Sequence, residues 1–374
     1  FIATEFSHRI QKSSRTHSVF ELTIRGLAGL LSAHALSGDR IFLDKANELG
    51  TRLLPAFSQS QNGLPFSHCA LATGLCDHGE QTILCEVAVP LEWKELGKAC
   101  QQNGIPGSQY ERIADTMFKN ISIAAHAPDS FAANHWPLVP VRLSSPQERV
   151  AKAHPSDISM GAMADNYYEY LLKSFLQTGE LSTFETWLDV INRAEHSDMF
   201  TPVRGDGIQN ARSFIKLNSN GQKVMETEHL TCFIGGNIAL AAMRVQKDER
   251  ARVAAARKGF SFEKLKLLAG ELTDGCLIMY QTSPMGIGSE CVGVDQSSGR
   301  LFQTHTCGFH YLLRPELVES IYYMYQLTGD VKWRVKGEEI LNRLYDYARV
   351  DMGNGKFGYA SIENVYQYHR KLAD

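Results

Sequence analysis

A helical hairpin that recurs along the chain constrains the fold more than any other feature of the sequence. Each copy opens on an acidic residue, continues with apolar residues at helical spacing, and ends at a glycine followed by a second acid. The opening acids are Glu21, Asp165 and Glu316. Glycine suits the left-handed conformation that ends a helix, and the acid after it can cap the next helix. The pattern therefore predicts a mainly α-helical fold built from repeated hairpins.

The second half of each repeat is another helical stretch, which starts after the glycine-acid pair. These pairs are Gly38-Asp39, Gly179-Glu180 and Gly329-Asp330. A more divergent copy is predicted over residues 86–123. Because the opening acids lie on only one helix of each pair, we expect an inner ring of acid-bearing helices and an outer ring. If the inner helices run parallel, the opening carboxylates gather at one end of the fold.

Two regions interrupt the helical pattern. Residues 124–160 are rich in Pro, His and Ser and are predicted to form a long connection with short strands. Within residues 201–227, the Asn220-Gly221 pair between apolar alternations predicts a β-hairpin. Because no low-complexity linker divides the sequence, we expect a single catalytic domain over residues 1–374.

Composition excludes several classes of partner. The formal net charge of −3 offers no basic surface for nucleic acid. The sequence has no run of 18 apolar residues, so no membrane-spanning segment is expected within it. The chain begins at Phe1, and any signal peptide or membrane anchor would lie upstream.

The cysteines do not decide the redox compartment by themselves. Eight cysteines are compatible with either compartment. Asn120 begins an Asn-Ile-Ser triplet that matches a glycosylation acceptor, which favours the secretory pathway. Cys69, Cys76 and Cys85 lie near histidines, but their spacing fits no standard zinc site.

The opening acids have charged neighbours one helical turn later. These neighbours are Arg25 after Glu21, Glu169 after Asp165, and Glu319 after Glu316. Arg25 places a positive charge beside Glu21, whereas the other two pairs are like charges. Like charges at this spacing are mildly destabilising, which favours a bound cation or substrate. For any single acid, a solvated first turn that suits the helix dipole is the simpler interpretation. Three acids in repeated positions with aromatic neighbours instead indicate an active site, and paired carboxylates are typical of glycoside hydrolysis.

Specific sequence blocks connect the chain with a known family. They are VFELTIR at 19–25, ADNYYEYLLK at 164–173, EHLTCF at 228–233, TDGC at 273–276 and RPELVES at 314–320. With these blocks the chain resembles the class I α-1,2-mannosidases, glycoside hydrolase family 47. The resemblance implies an (α/α)7 barrel and inverting hydrolysis of α-1,2-linked mannose from high-mannose N-glycans. It also implies a bound calcium ion (Ca2+) that contacts the substrate sugar.

The resemblance also implies roles for individual residues. Glu21 matches the general acid, Glu316 the general base that activates water, and Asp165 a third essential acid that positions this machinery. The residues that match positions lining the same pocket are Arg25, Glu86, His229, Arg314 and Glu319. Cys232 and Cys276 match the disulfide positions of the family.

The chain also departs from the family pattern. It ends at Asp374, before the segment that holds calcium, so the metal ligand of the family would lie beyond Asp374 and none is expected within this chain. The opening hairpin of the family is missing before Phe1, which predicts a barrel truncated at both ends. Met163 stands where the endoplasmic-reticulum enzymes have arginine, which favours a Golgi-like glycan preference. The segment around Pro90 is one residue shorter than the family norm.

The leading hypothesis is therefore a mannosyl-oligosaccharide 1,2-α-mannosidase that processes N-glycans. Its partners would be high-mannose N-glycans on glycoproteins, in the lumen of the endoplasmic reticulum or Golgi. One alternative is a glycoprotein quality-control factor that resembles the ER-degradation-enhancing mannosidase-like branch. A second alternative is an inactive paralogue of the enzyme.

Overall fold

The computed structural model describes residues 5–8, 15–306 and 308–367. The chain folds into two compact units. The first unit consists of residues 1–158 and 166–180, and the second of residues 159–165 and 181–374. Both units are mainly helical, as the hairpin pattern predicts.

In the residues that the structure describes, the first unit is built around helices with one small strand pair. Its helices are Val19–Glu21, the π-helical Leu22–Leu27, Ala28–Ser37, Arg40–Leu53, Pro55–Ser58, Leu84–Val87, Pro90–Gln102, Ser108–His126 and the 3-10 helix Phe131–Asn134. The helix Asp165–Thr178 also belongs to this unit, except for its first residue, Asp165, which belongs to the second unit. The strands Thr16–Ser18 and His68–Ala70 pair antiparallel. In the core of this unit, Trp93 packs against Phe57 and Tyr110, with ring centroids 5.0 and 5.9 Å apart.

The second unit combines helices with short antiparallel sheets. Its helices are Leu181–His196, the 3-10 helix His229–Cys232, Phe233–Lys247, Glu249–Arg257, Phe262–Gln281, Glu316–Thr328 and Val331–Tyr347. Its paired strands are Phe200–Gly205 with Ile208–Phe214, Lys216–Leu217 with Lys223–Val224, Glu226–Glu228 with Cys291–Val294 and Leu301–Phe302, and Arg349–Gly353 with Lys356–Tyr359.

The predicted punctuation of the hairpins is present at the helix ends. Gly38 and Gly329 end their helices with φ of 70° and 67°, in the left-handed region that favours glycine. The Asp39 carboxylate then accepts a hydrogen bond from the Ile41 N–H, and Asp330 caps the following helix in the same way. The helices on either side of each turn pack together. Local capping chemistry therefore sets where these hairpins turn.

The two predicted interruptions are also present. Within residues 124–160, the described backbone contains one 3-10 helix and isolated bridges such as Leu143 to Ala153. The Asn220-Gly221 hairpin forms with Lys216 opposite Val224. The Asn218 carboxamide oxygen accepts hydrogen bonds from two backbone N–H groups of the turn, which fixes its shape.

Small residues bring three helices of the second unit into close contact. A Cβ added at Gly235, on helix Phe233–Lys247, would lie 2.3 Å from the Thr273 hydroxyl on helix Phe262–Gln281. A Cβ at Gly236 would lie 2.8 Å from the α-carbon of Ser320 on helix Glu316–Thr328. Only glycine permits this approach. The close packing holds the elements that carry the candidate site.

One helical run among the described residues meets a membrane criterion. Val19–Ser37 is long and apolar enough to cross a membrane by length and composition. Its most apolar 18-residue segment has a mean hydropathy of 1.2, and 28% of that segment is buried. The sequence contains no unbroken run of 18 apolar residues here, because Glu21 and Arg25 are charged. The run nevertheless meets a criterion that uses mean hydropathy and tolerates two charged residues. Core helices of soluble proteins and signal sequences meet the same criterion, so the run is weak support for a membrane span.

Candidate active site

Glu316 lies at the first position of its helix, directly after Pro315. Proline suits this place because its missing N–H has no partner in the first turn of a helix. The Glu316 side chain is 16% exposed, and one of its oxygens lies 3.2 Å from Nδ1 of the fully buried His229. The other ring nitrogen of His229, Nε2, lies 2.8 Å from the Tyr280 hydroxyl. The carboxylate is therefore held by a buried imidazole and remains open to solvent.

Two buried tyrosines form the wall behind this pair. Burial raises the pKa of Tyr311 to about 12, and burial also raises the pKa of Tyr280 well above its ordinary value. Both hydroxyls are therefore neutral at physiological pH. The Tyr311 hydroxyl donates to the backbone carbonyl of Arg314 at 3.0 Å. This bond fixes the residue two positions before Glu316.

Arg314 forms an ion pair with Glu290. Its Nε lies 2.7 and 2.8 Å from the two carboxylate oxygens of Glu290, and one terminal nitrogen lies 2.6 Å from Oε2. This hydrogen bonding to Glu290 raises the pKa of Arg314, and the charges of Glu316 and Asp165 act in the same direction. One guanidinium therefore sits among three carboxylates of the second unit, which reduces their mutual repulsion.

Asp165 starts its helix from a turn that is tied to the His229 segment. Its backbone N–H donates to the carbonyl of Gly161 at 2.9 Å. In the same turn, the Ala162 N–H donates to the carboxylate of Glu228 at 3.0 Å. A Cβ at Gly161 would lie 2.3 Å from that carboxylate, so a larger residue there would have to displace the Glu228 side chain. Glu228 therefore holds the turn that presents Asp165.

A disulfide and a serine connect the remaining elements of the second unit. Cys232 is bonded to Cys276, the pair that the resemblance implies, and joins the His229 turn to the helix that carries Tyr280. The Ser320 hydroxyl donates to the Cys232 carbonyl and accepts from the Gly236 N–H at 2.7 Å. The Glu316 helix is thereby hydrogen-bonded to the turn that carries His229.

The other predicted site residues belong to the first unit. Glu21 forms an ion pair with Arg25, and the two side chains are 48% and 75% exposed. Its helix is capped by the Ser18 hydroxyl, which accepts from the Glu21 N–H at 3.2 Å. The carboxylate of Glu86 accepts from the Ser67 hydroxyl at 2.6 Å and from a backbone N–H at 2.9 Å. Burial raises the pKa of Glu86.

The structure therefore groups part of the predicted set. Asp165, His229, Arg314 and Glu316 are linked within the second unit, and Glu319 lies one helical turn after Glu316, partly buried. Glu21, Arg25 and Glu86 lie in the first unit. The gathering of all three opening acids at one end of the fold stays a prediction.

Two acids of this group were missed by the sequence analysis. Glu290 stands alone in a glycine-rich stretch, and Glu228 ends a short strand directly before His229. Neither follows a helical period that would connect it with the acidic first turns. The only signal was the proximity of Glu228 to the EHLTCF block, and no local pattern pointed to Glu290.

The described side chains do not supply a metal site. Across residues 5–8, 15–306 and 308–367, no group of three or more His, Cys, Asp or Glu side chains could hold a metal ion. The calcium ion that the resemblance implies therefore finds no matching donor set among these residues. Cys69 and Cys76 are bonded to each other, which removes both thiols from any zinc site.

The chain is similar to proteins of one known family. The sequence profile of Glycosyl hydrolase family 47 matches residues 1–374. The endoplasmic reticulum mannosyl-oligosaccharide 1,2-alpha-mannosidase of Rattus norvegicus is 30% identical over 360 residues, which cover 94% of this chain and 49% of the relative. The mannosyl-oligosaccharide 1,2-alpha-mannosidase of Candida albicans is 30% identical over 367 residues, covering 94% of this chain and 60% of that protein. The chain thus spans about half the length of the first of these relatives.

A solved structure supports the fold. The alpha-1,2-mannosidase from Trichoderma reesei superposes with a TM-score of 0.74 at 24% identity, covering 97% of this chain and 73% of that one. This likeness confirms the predicted fold class, the (α/α)7 barrel. Because the family profile extends over the whole sequence, the chain belongs to glycosyl hydrolase family 47.

Proposed function

We propose that this chain is the catalytic domain of a mannosyl-oligosaccharide 1,2-α-mannosidase. It would remove terminal α-1,2-linked mannose from high-mannose N-glycans with inversion, as one domain over residues 1–374. The observation that carries the proposal is the carboxylate of Glu316, held by buried His229 beside the Arg314–Glu290 ion pair. The names of the relatives, which are mannosyl-oligosaccharide 1,2-alpha-mannosidases, support the substrate class.

In this proposal Glu316 is the general base. Its carboxylate takes a proton from water, the water oxygen bonds to the anomeric carbon, and the glycosidic C–O bond breaks. Glu21 donates a proton to the leaving oxygen, so the acid and base exchange protonation states during one turnover. An inverting enzyme needs room for water between the two carboxyl groups, about 6.5–9.5 Å. The partial exposure of Glu316 suits a base that must reach water.

The neighbours of Glu316 orient it for this step. His229 contacts one carboxylate oxygen, which leaves the other available to water. Arg314 keeps positive charge beside Glu316 and Asp165, and these two carboxylates in turn raise the pKa of its guanidinium. Arg25, Glu86 and Glu319 are proposed to line the sugar pocket. Calcium would stabilise charge on the bound sugar, but no step is assigned to it, because the described donor set does not fit a metal.

The location of the protein follows as a second part of the proposal. The Rattus norvegicus relative is named for the endoplasmic reticulum. The disulfides Cys69–Cys76 and Cys232–Cys276 require an oxidising compartment. We therefore place the protein in the secretory pathway, where high-mannose N-glycans on glycoproteins are its substrates.

The test is mannose release from a high-mannose glycan by the full-length protein. Glu316→Gln and Glu21→Gln should each lower kcat at least 100-fold, because each removes a proton-transfer group worth about 10²–10⁴ in rate. Glu338→Gln, an exposed acid of helix Val331–Tyr347, is the matched control and should leave kcat unchanged. Full activity in the Glu316 and Glu21 variants would refute the assignments. Binding of glycoproteins by the wild type without mannose release would instead favour the quality-control alternative.

A further inference from the structure

The Cys69–Cys76 disulfide lies beside the start of the Glu21 helix, and the proposed function gives it no role. Cys69 and Cys76 face each other across an antiparallel bridge, and both are buried. Backbone hydrogen bonds flank the bridge, from Ala70 N–H to Leu75 C=O at 2.8 Å and from Asp77 N–H to His68 C=O at 3.0 Å. The disulfide therefore fixes the strand His68–Ala70 from one side.

The other side of this strand holds the segment that leads into the Glu21 helix. His17 stands directly opposite Cys69, and Ser18 stands opposite His68. At the end of the pairing, the Val19 N–H donates to the Ser67 carbonyl at 2.9 Å. Ser18 is also the N-cap of the helix, so the strand pair determines where the cap and Glu21 lie.

Ser67 contacts the two candidate site elements of the first unit. Its carbonyl accepts from the first residue of the Glu21 helix, Val19, and its hydroxyl donates to the carboxylate of Glu86. Burial raises the pKa of Glu86, and the hydrogen bond from Ser67 opposes that rise by stabilising the charged form. Movement of Ser67 would therefore change both the start of the Glu21 helix and the environment of Glu86.

A pair of three-residue strands is too short to fix this geometry alone. Isolated two-stranded pairings are marginal in water. The sequence separation of Cys69 and Cys76 is 7, against 44 for Cys232 and Cys276. A short closed loop restricts the unfolded chain less than a long one, so the Cys69–Cys76 bond contributes less to global stability. Its main effect is the local order of the strand pair.

We propose that the Cys69–Cys76 disulfide is a positioning element of the candidate active site. It orders the strand His68–Ala70 so that Ser67 holds the start of the Glu21 helix and the carboxylate of Glu86. The inference rests on the proposed function in treating Glu21 and Glu86 as groups that serve the substrate. Neither cysteine touches substrate, and both act through Ser67.

The first test needs no enzymatic activity. In the full-length Cys69→Ser/Cys76→Ser variant, amide hydrogen exchange at Val19 and Glu21 should accelerate at least about tenfold, because local opening becomes easier. The Ile41 amide, which is capped by Asp39 in the same unit, is the control and should accelerate less than the amides of Val19 and Glu21. Wild-type exchange at Val19 and Glu21 would overturn the proposal. Equal acceleration at Ile41 would also overturn it, since the loss of the disulfide would then have no additional local effect on the Glu21 helix.

The second test follows the titration of Glu86 by NMR of its side-chain carboxyl carbon. Ser67→Ala should raise the pKa of Glu86 further, and the double serine variant should shift it in the same direction. Ser67→Thr retains the hydroxyl and should restore the wild-type titration. An unchanged titration in the double serine variant would contradict the proposal. Failure of the wild type to release mannose would refute the proposed function. The hydrogen-exchange rates and the titration of Glu86 would still decide whether the disulfide positions these residues.

Discussion

At the scale of single residues, the candidate site depends on how carboxylates are compensated. Glu316, Glu290 and Asp165 are acids of one unit that act on one guanidinium, that of Arg314. A planar guanidinium donates to two carboxylate oxygens in a fixed geometry, which a flexible ammonium does not reproduce. The orientation of Arg314, and not only its charge, therefore supports the base.

Arg314→Lys tests this dependence on geometry. The variant keeps the positive charge but loses the forked contact with Glu290, so kcat/KM for mannose release should fall by about 10–100-fold, or 1.4–2.7 kcal/mol. Arg349→Lys, an exposed arginine beside the strand Lys356–Tyr359, is the matched control and should change kcat/KM by less than twofold. Wild-type kcat/KM in Arg314→Lys would show that charge alone suffices.

The same residues show how far sequence reaches at this scale. Glu316 was predictable because proline before it and an acidic first turn are local signals. Glu290 was not, because its partner Arg314 is 24 positions away and neither position carries a period that marks the contact. Glu228 supports the Asp165 turn across 66 positions, which is equally invisible in a local pattern.

At the scale of secondary-structure elements, helix caps and a disulfide fix how short segments of the chain are joined. Helix turns at Gly38 and Gly329 could be predicted because they depend only on a glycine and the capping acid after it. The Cys69–Cys76 pairing could not, because three cysteines in one segment left the partners open and only the strand pairing brings two of them together. Constraints set by one turn were thus predictable, and the pairing of these two cysteines was not.

The two disulfides should differ in their contributions to stability. In the chain-entropy picture, loss of Cys232–Cys276 lowers the free energy of unfolding by about 4 kcal/mol, because 44 residues separate its cysteines. Loss of Cys69–Cys76, with a separation of 7, should cost about 2.5 kcal/mol. Urea denaturation of the two double serine variants measures both values. A larger loss for the short pair would mean that its strand geometry, and not chain entropy, dominates.

At the scale of the whole molecule, buried charge without full compensation should make stability depend on pH. Glu92 is 8% exposed, and the Tyr170 hydroxyl donates to one of its carboxylate oxygens at 2.8 Å. The other oxygen is buried without a hydrogen-bond partner. Burial is the main reason that the pKa of Glu92 is raised from 4.5, and the Glu169 carboxylate raises it further. An ionised Glu92 therefore lowers the free energy of unfolding of the chain.

The sign of the effect follows from proton linkage. Between the unfolded and the folded pKa of Glu92, the folded state binds more protons, so stability falls as pH rises through this interval. Glu92→Gln keeps an acceptor for Tyr170 and removes the charge. Its free energy of unfolding should exceed that of the wild type at pH 7 by about 1–2 kcal/mol, and this advantage should disappear below pH 4.5. Urea titrations at pH 4 and pH 7 measure the difference, with the exposed Glu95→Gln as control. A Glu92→Gln advantage that is equal at both pH values would show that ionisation of Glu92 does not limit stability.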